Sequence, residues 1–303
     1  MEQYWQECNI YTSASLEWSR IVSKPPSLRR RRLVSALRRL RAEAGLTIVD
    51  AAEAAGFSEA KLSRIETLRH MVNGDDTYRL AQVYEADQQT TDALVQLARS
   101  SKQRGWWAAY SDDALGRLTD YIEMQADAVR IREFEEGIVP GALQTRGYTE
   151  AVLRLGLPDA SEETIQQRLK VRTELQDSAR SRDLRMWVIL DEMALRRPVG
   201  GRGVMADQVT ALISAANSPG IRVQVLPTDV SGHPAMGTPF TLLDLADRAT
   251  YVYLDTLAGG SYLEETRDVD RYESAWEALQ ATALSFEDST SLMETIRTEH
   301  QGG

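Results

Sequence analysis

Apolar residues recur at helical spacing in five blocks along the first third of the chain, and the blocks are separated by glycine and polar residues. Leu33, Leu37 and Leu40 lie on one stripe of a helix expected over 27–44. Short helices are predicted over 48–55 and 59–67, with Leu62 and Ile65 of the second pointing inward. A fourth, capped by Asp75 or Asp76, runs through Leu80, Val83 and Tyr84. A fifth covers about 90–103, with Leu94 and Leu97 inward. Beyond residue 105 the pattern changes. Helical spacing returns at 115–129, 146–155, 161–179, 204–217, 269–283 and 286–299. Residues 130–139 look extended, and apolar runs of strand length follow at 184–190, 221–226, 240–245 and 250–254. Strand–helix–strand order with one late hairpin predicts a mixed sheet. The expected fold is α+β overall: an all-α five-helix domain, then a mixed α/β domain.

The segment 47–67, TIVDAAEAAGFSEAKLSRIET, has the strongest local signals. Thr47 suits the cap of helix 48–55, because its hydroxyl can accept a bond from an orphan backbone amide. Ala51, Ala52, Ala54 and Ala55 let a second helix cross closely. Gly56 stands where a left-handed residue usually ends a helix. Ser58 can cap the next helix, and Phe57 closes the turn. Two short helices joined by a tight turn, the second basic and small, form the layout that sets a helix in the DNA major groove. An ordinary helical hairpin with a solvated face is the alternative.

Charge sharpens the choice. The chain has 303 residues, a net charge of −10 and a pI near 5.0. Residues 20–70 nevertheless hold 12 Lys/Arg against 5 Asp/Glu, a local +7 that leaves −17 for the rest. A basic head on an acidic body fits a regulator that touches DNA at one end. The single cysteine, Cys8, excludes an internal disulfide and a cysteine metal cluster. His70, His233 and His300 are too dispersed for a compact histidine metal motif. No cofactor is expected. The absence of a signal-like segment or an 18-residue apolar run predicts a cytoplasmic protein without a membrane anchor. The expected domains are an arm at 1–26, a DNA-binding domain at 27–105 and a regulatory and dimerisation domain at 106–303. The arm holds Tyr4, Trp5, Tyr11, Leu16 and Trp18, too aromatic for a solvated tail. A mobile arm or upstream start and a docking element fit it equally well.

The chain resembles the actinobacterial Xre-type, lambda-repressor-like regulators that carry a long C-terminal domain of undefined function, the WhiJ-like group. The resemblance covers about 29–298. It rests on G-L-T at 45–47, G-F-S-x-x-K-L-S-R-I-E at 56–66 and Q-R-G-W-W at 103–107. Further along it rests on I-V-P-G-A-L-Q-T at 138–145, W-V-I-L-D-E-M-A-L-R-R-P-V-G at 187–200, V-Q-V-L-P at 223–227, H-P-A-M-G-T-P-F-T-L-L at 233–243 and Y-L-E at 262–264. It implies a homodimeric transcription factor, antitoxin-like in some members, often encoded beside a small partner protein and active in development or antibiotic production. Two positions depart from relatives: Ile48 replaces a glutamine that can reach a phosphate, and Thr67 stands where many have glycine.

The candidate DNA-binding residues follow. Thr47 and Ser58 mark the two helix starts. Glu59, Ala60, Lys61, Ser63 and Arg64 form the outward face of the second helix; a glutamate can accept from cytosine and an alanine methyl can touch thymine. Arg29, Arg30, Arg31 and Arg32 read as a phosphate clamp or minor-groove arm, or else as a solvated helix start. Arg69 and His70 are further phosphate candidates. In the second domain Trp187 reads as core. Gln144, Thr145, Tyr148, Arg196, Arg197 and His233 are candidates for a ligand or partner; local pairing of the arginines with Asp191 or Glu192, and a structural loop histidine, are the alternatives. The expected partners are double-stranded DNA with an inverted-repeat operator, a second copy of the chain, and a small neighbour-encoded protein. A DNA-tethered enzyme using Asp191, Glu192 and His233 is the distant alternative: no nucleophile elbow, phosphate loop, dinucleotide glycine motif or metal spacing is present. The reading is therefore a non-enzyme.

Overall fold

Side-chain caps set where most of the helices begin. In the computed structural model, which describes residues 27–101, 110, 115, 119–182, 184–246, 249–256 and 260–302, the first helix, α1 (Leu28–Glu43), starts from Ser27, whose hydroxyl accepts from the Arg30 amide. Thr47 caps α2 (Ile48–Ala55) and Ser58 caps α3 (Glu59–Glu66) in the same way. The fourth helix, α4 (Gly74–Val83), is capped by Asn73 rather than by either aspartate. Asp75 and Asp76 fall inside its first turn, where they favour the positive end of the dipole. The fifth, α5 (Gln88–Ser100), begins two residues earlier than its apolar spacing indicated, because the Asp87 carboxylate accepts from the Thr90 amide.

Two compact units emerge, residues 27–86 with 97–101, and residues 87–96 with the rest of the described chain. In the first unit α1 packs on α3 and α4, and α2 packs on both as well. Its core contains Leu33, Leu37, Ala51, Leu62, Ile65 and Leu80, each at most 2 % exposed. The aromatic arm at 1–26 and the Q-R-G-W-W motif at 103–107 lie outside the described residues.

In the second unit α6 (Thr119–Asp127) leads directly into β1 (Ala128–Glu135), so the expected helix at 115–129 is cut short by a strand. A 3-10 turn at Gly141–Leu143 precedes α7 (Arg146–Gly156) and α8 (Glu162–Arg180). Next come β2 (Arg185–Asp191), α9 (Glu192–Arg196), α10 (Arg202–Ala216) and β3 (Ile221–Leu226). The chain continues through β4 (Phe240–Leu245), β5 (Thr250–Leu254) and β6 (Ser261–Leu263) to α11 (Thr266–Thr282) and α12 (Phe286–Gln301). The sequence pattern missed α9 and β6. Five and three residues are too few to display a period.

The six strands form one mixed sheet in the order β3-β2-β1-β4-β5-β6. The first three pair in parallel, and β1–β4, β4–β5 and β5–β6 are antiparallel. Alternation along β1 divides the two faces. Phe134 looks toward α11, joining Ile189, Phe240, Leu242, Val252 and Trp276 in an apolar core. Arg132, on that face, is held by Asp244 and Glu273. Ile131, Glu133 and Glu135 look the other way, toward the side covered by α6. Trp187 is half-buried rather than fully core; its indole N–H donates to Gln224 at 2.9 Å, and its ring meets Trp276 edge-on. Among the described residues no helix is long and apolar enough to cross a membrane.

Candidate nucleic-acid interface

The geometry of α3 follows from its two ends and its buried stripe. Gly56 takes φ +69°, the left-handed conformation that reverses the chain after α2. Ser58 then accepts from the Lys61 amide at 3.2 Å and starts α3. With 100° per residue, Leu62, Ile65 and Glu66 form the buried side. The opposite side carries Glu59, Ala60, Arg64 and Thr67, all exposed, with Ser63 half-buried among them. Arg64 donates its Nε–H to the Ala60 carbonyl at 2.9 Å, which lays the side chain back along the outward face. Thr67 donates its hydroxyl to the Ser63 carbonyl at 2.8 Å. The sequence reading had not counted Thr67 on this face; its helical position, one turn past Ser63, is the signal that places it there.

Lys61 sits elsewhere. Its Nζ lies 2.8 Å from an Asp76 carboxylate oxygen on α4 and 3.8 Å from the centre of the Phe57 ring. The expected base or phosphate contact therefore competes with a pairing that ties α3 to α4. Thr47 is exposed, and its hydroxyl hydrogen is given to Asp50 at 2.6 Å, so it has no hydroxyl donor to spare for a phosphate.

The run Arg29–Arg32 does not act as a single clamp. Four consecutive helical residues point around the whole circumference, so they cannot share one face. Arg32 is buried, at 4 % exposed. Arg30 donates to the Leu68 carbonyl at 2.5 Å, strapping the start of α1 to the chain that leaves α3. Arg29 is half-buried and Arg31 exposed. Beyond α3, Arg69 and His70 are exposed, and both of their amides return to the Arg64 carbonyl.

A pair the sequence reading missed fixes the orientation of α3. Arg41 of α1 donates to both carboxylate oxygens of Glu66, at 2.7 and 3.0 Å, and to the Leu46 carbonyl at 2.7 Å. Each residue alone looks like part of a solvated helix face. Burial of Tyr84 beside this pair, with the Glu66 charge, pushes its phenol up to about 12.

In the second unit the expected ligand residues separate. Gln144 is buried; its amide donates to the Val139 carbonyl, and its oxygen accepts from Thr149. Thr145 caps α7, and its amide donates to Gln208. Tyr148 is fully buried and accepts from the Val139 amide. All three bond the loop 138–145 or the start of α7. Arg196 pairs with Glu192 at 2.5 Å and Glu299 at 2.6 Å, the local pairing weighed as its alternative. Burial works against the Glu192 charge, but the Thr228 donors and Arg196 hold it below its ordinary range. Arg197 is exposed. His233 packs edge-on against Phe134 and lies 3.8 Å from Glu136. Among the described residues no hydrogen bond or ion pair joins His233 to Gln144, Arg196, Asp191 or Glu192, and Asp191 is occupied as the α9 cap. A single pocket formed by Gln144, Arg196 and His233 is thus not formed.

Residues 32–94 match a family model described as a helix-turn-helix domain. Residues 118–295 match one described as a domain of unknown function, DUF5753. No curated protein and no solved structure matches the chain.

Proposed function

The chain belongs to the DUF5753 family, with its family domain behind a helix-turn-helix domain, and from that premise we propose that it is a sequence-specific, double-stranded-DNA-binding transcriptional regulator of the Xre type. The observation that supports this most directly is the outward face of α3. Glu59, Ala60, Ser63, Arg64 and Thr67 project from a helix whose other side is locked by Leu62, Ile65 and the Arg41–Glu66 pair. Small residues flanking an arginine admit close approach to base edges, and the arginine can bond a guanine in two-pronged fashion. Arg31, Arg69 and His70 extend the basic surface for phosphates.

A single module of this size reads few base pairs, so the reading includes a homodimer on an inverted repeat, with half-sites about one helical turn apart. The acidic C-terminal unit is the natural source of the dimer interface and of a signal-receiving surface, for a small ligand or a small neighbour-encoded protein. The protein acts in the cytoplasm and has no catalytic role in this reading. The resemblance to WhiJ-like regulators supports a role in development or specialised metabolism. Selection of bound duplexes from a random pool tests the core claim. Enrichment of a palindromic site, occupied by two protomers, is expected. A pool that stays random, or a site bound by one protomer, would refute it.

A further inference from the structure

A cavity of about 560 Å³ lies against the α6-facing side of the sheet, within the range of small-molecule sites. Its floor is one cross-strand row. Glu133 of β1 pairs with Thr241 of β4, which pairs with Tyr253 of β5. Glu135, two residues along β1, lines the cavity as well, about 6.6 Å further on at the usual strand rise. The Tyr121 ring of α6 meets the Tyr253 ring at a tilt, centroids 4.8 Å apart, and Arg172 of α8 lines the cavity.

The lining is unusual for a protein interior. Glu133 is only 6 % exposed, and among the described residues its carboxylate takes part in no hydrogen bond and no ion pair within 4 Å. A buried unpaired carboxylate is costly unless something completes it. Burial holds both Glu133 and Glu135 above the ordinary carboxyl range; Arg172 opposes the shift at Glu133 and Asp255 adds to it, while at Glu135 the Glu133 charge, Asp255 and Glu136 all add to it. Burial also lowers Arg172, raises Tyr121 and raises Tyr253, whose hydroxyl bonds Asp255. One side of the cavity is rigid. Gln176 donates to the carbonyls of Gly141 and Gln144, and Gln208 to that of Leu143. The Arg172 guanidinium packs directly on Gly141, where a Cβ would displace it.

We propose that this cavity binds a small aliphatic diamine, with Glu133 and Glu135 facing its ammonium groups and the Tyr121–Tyr253 ring pair along one side of its chain. The proposal gives content to the signal-receiving role of the C-terminal unit and rests on that reading for its biological meaning. Charge complementarity selects the class. Glu133, Glu135 and Asp255 face one cation, Arg172, and burial favours the neutral forms of the two glutamates; a dication seated between them would hold both ionised. Tyrosine faces favour cations, and Ile138 and Val152 suit a carbon chain. A bare metal ion is disfavoured, because among the described residues no three metal-ligating side chains converge.

The test is calorimetric titration of the full chain with 1,4-diaminobutane, with 1,4-butanediol and succinate as neutral and anionic controls. Saturable heat is expected from the diamine alone. Changing both Glu133→Gln and Glu135→Gln should weaken it by about tenfold per carboxylate removed. Both changes relieve a buried charge, so the variant should fold, as its circular dichroism will report. No saturable heat from the diamine, preference for succinate, or equal affinity in the double variant would overturn the site. Operator titration with and without diamine separates the two claims. A diamine that binds but leaves operator affinity unchanged removes the sensing role and keeps the site.

Discussion

Arg41 and Glu66, 25 residues apart, form a two-pronged ion pair in which the Glu66 side chain is 7 % and the Arg41 side chain 17 % exposed. The arginine also satisfies the Leu46 carbonyl, so one side chain ties α1, the entry to α2 and the end of α3. The outward face of α3 is thus oriented from behind by a charge pair on its buried side.

Removing one partner should cost more than the pair contributes, because it strands a desolvated charge. Glu66→Ala is expected to destabilise the helix-turn-helix unit by about 2–4 kcal/mol. The apolar pair Arg41→Met with Glu66→Leu should recover most of that loss. Urea unfolding, read by hydrogen exchange of the α3 amides, provides the measurement. A loss below about 1 kcal/mol for Glu66→Ala would mean that packing alone holds α3.

Arg64 and Lys61 should behave differently, although both sit on α3. Arg64→Ala removes an exposed side chain from the outward face and should cost operator binding about 1–3 kcal/mol with little effect on stability. Lys61→Ala breaks the pairing with Asp76 and the contact with Phe57, so its effect should fall on stability, by about 1 kcal/mol or less. Competition titrations against operator and random duplex, alongside melting curves, separate the two. A Lys61 variant that melts like wild type yet loses operator affinity would reverse the assignment.

Glu85 adopts φ +56° immediately after the α4 cap residue Tyr84 and is exposed. A residue with a Cβ is strained there. Glu85→Gly should raise stability by up to about 1 kcal/mol, the strain relief exceeding the entropy that glycine adds to the unfolded chain. Glu85→Val should lower it. Opposite signs in denaturant midpoints are the expected result, and equal midpoints would argue against strain.

The cavity carboxylates make a pH signature with a definite sign. Burial raises Glu133 and Glu135 in the folded state above the ordinary 4.5. Folding then favours their protonated forms. Their contribution is fully present below the ordinary carboxyl value and is lost as pH rises through the raised values. Glutamine cannot ionise, so the Glu133→Gln, Glu135→Gln variant should gain stability over wild type at about pH 9 and gain little at about pH 5. Parallel stability–pH curves for the two proteins would show that neither carboxyl is displaced.

What the sequence determined by itself is local. The caps at Ser27, Thr47, Ser58, Thr145, Ser161 and Ser285 each bond an amide three residues on, so a short window contains both partners. Four of the longer strands were legible because apolar runs between turn signals have few other solutions. The mixed α/β character followed from the order of those runs. Tertiary structure decided which charges remain available. It joined Lys61 to Asp76 across 15 residues, turned Arg30 to the Leu68 carbonyl 38 residues away and buried Arg32. It likewise withdrew Gln144 and Tyr148 into backbone bonds and sent Arg196 and His233 to different neighbours. Conversely, it gathered Glu133, Thr241, Tyr253 and Arg172 from four separate elements around one cavity. A charge on an amphipathic segment has the same local pattern whether it meets water, a counter-ion or an enclosed space. Only the folded chain, by bringing distant segments within a few ångströms, sets its dielectric surroundings and its partner.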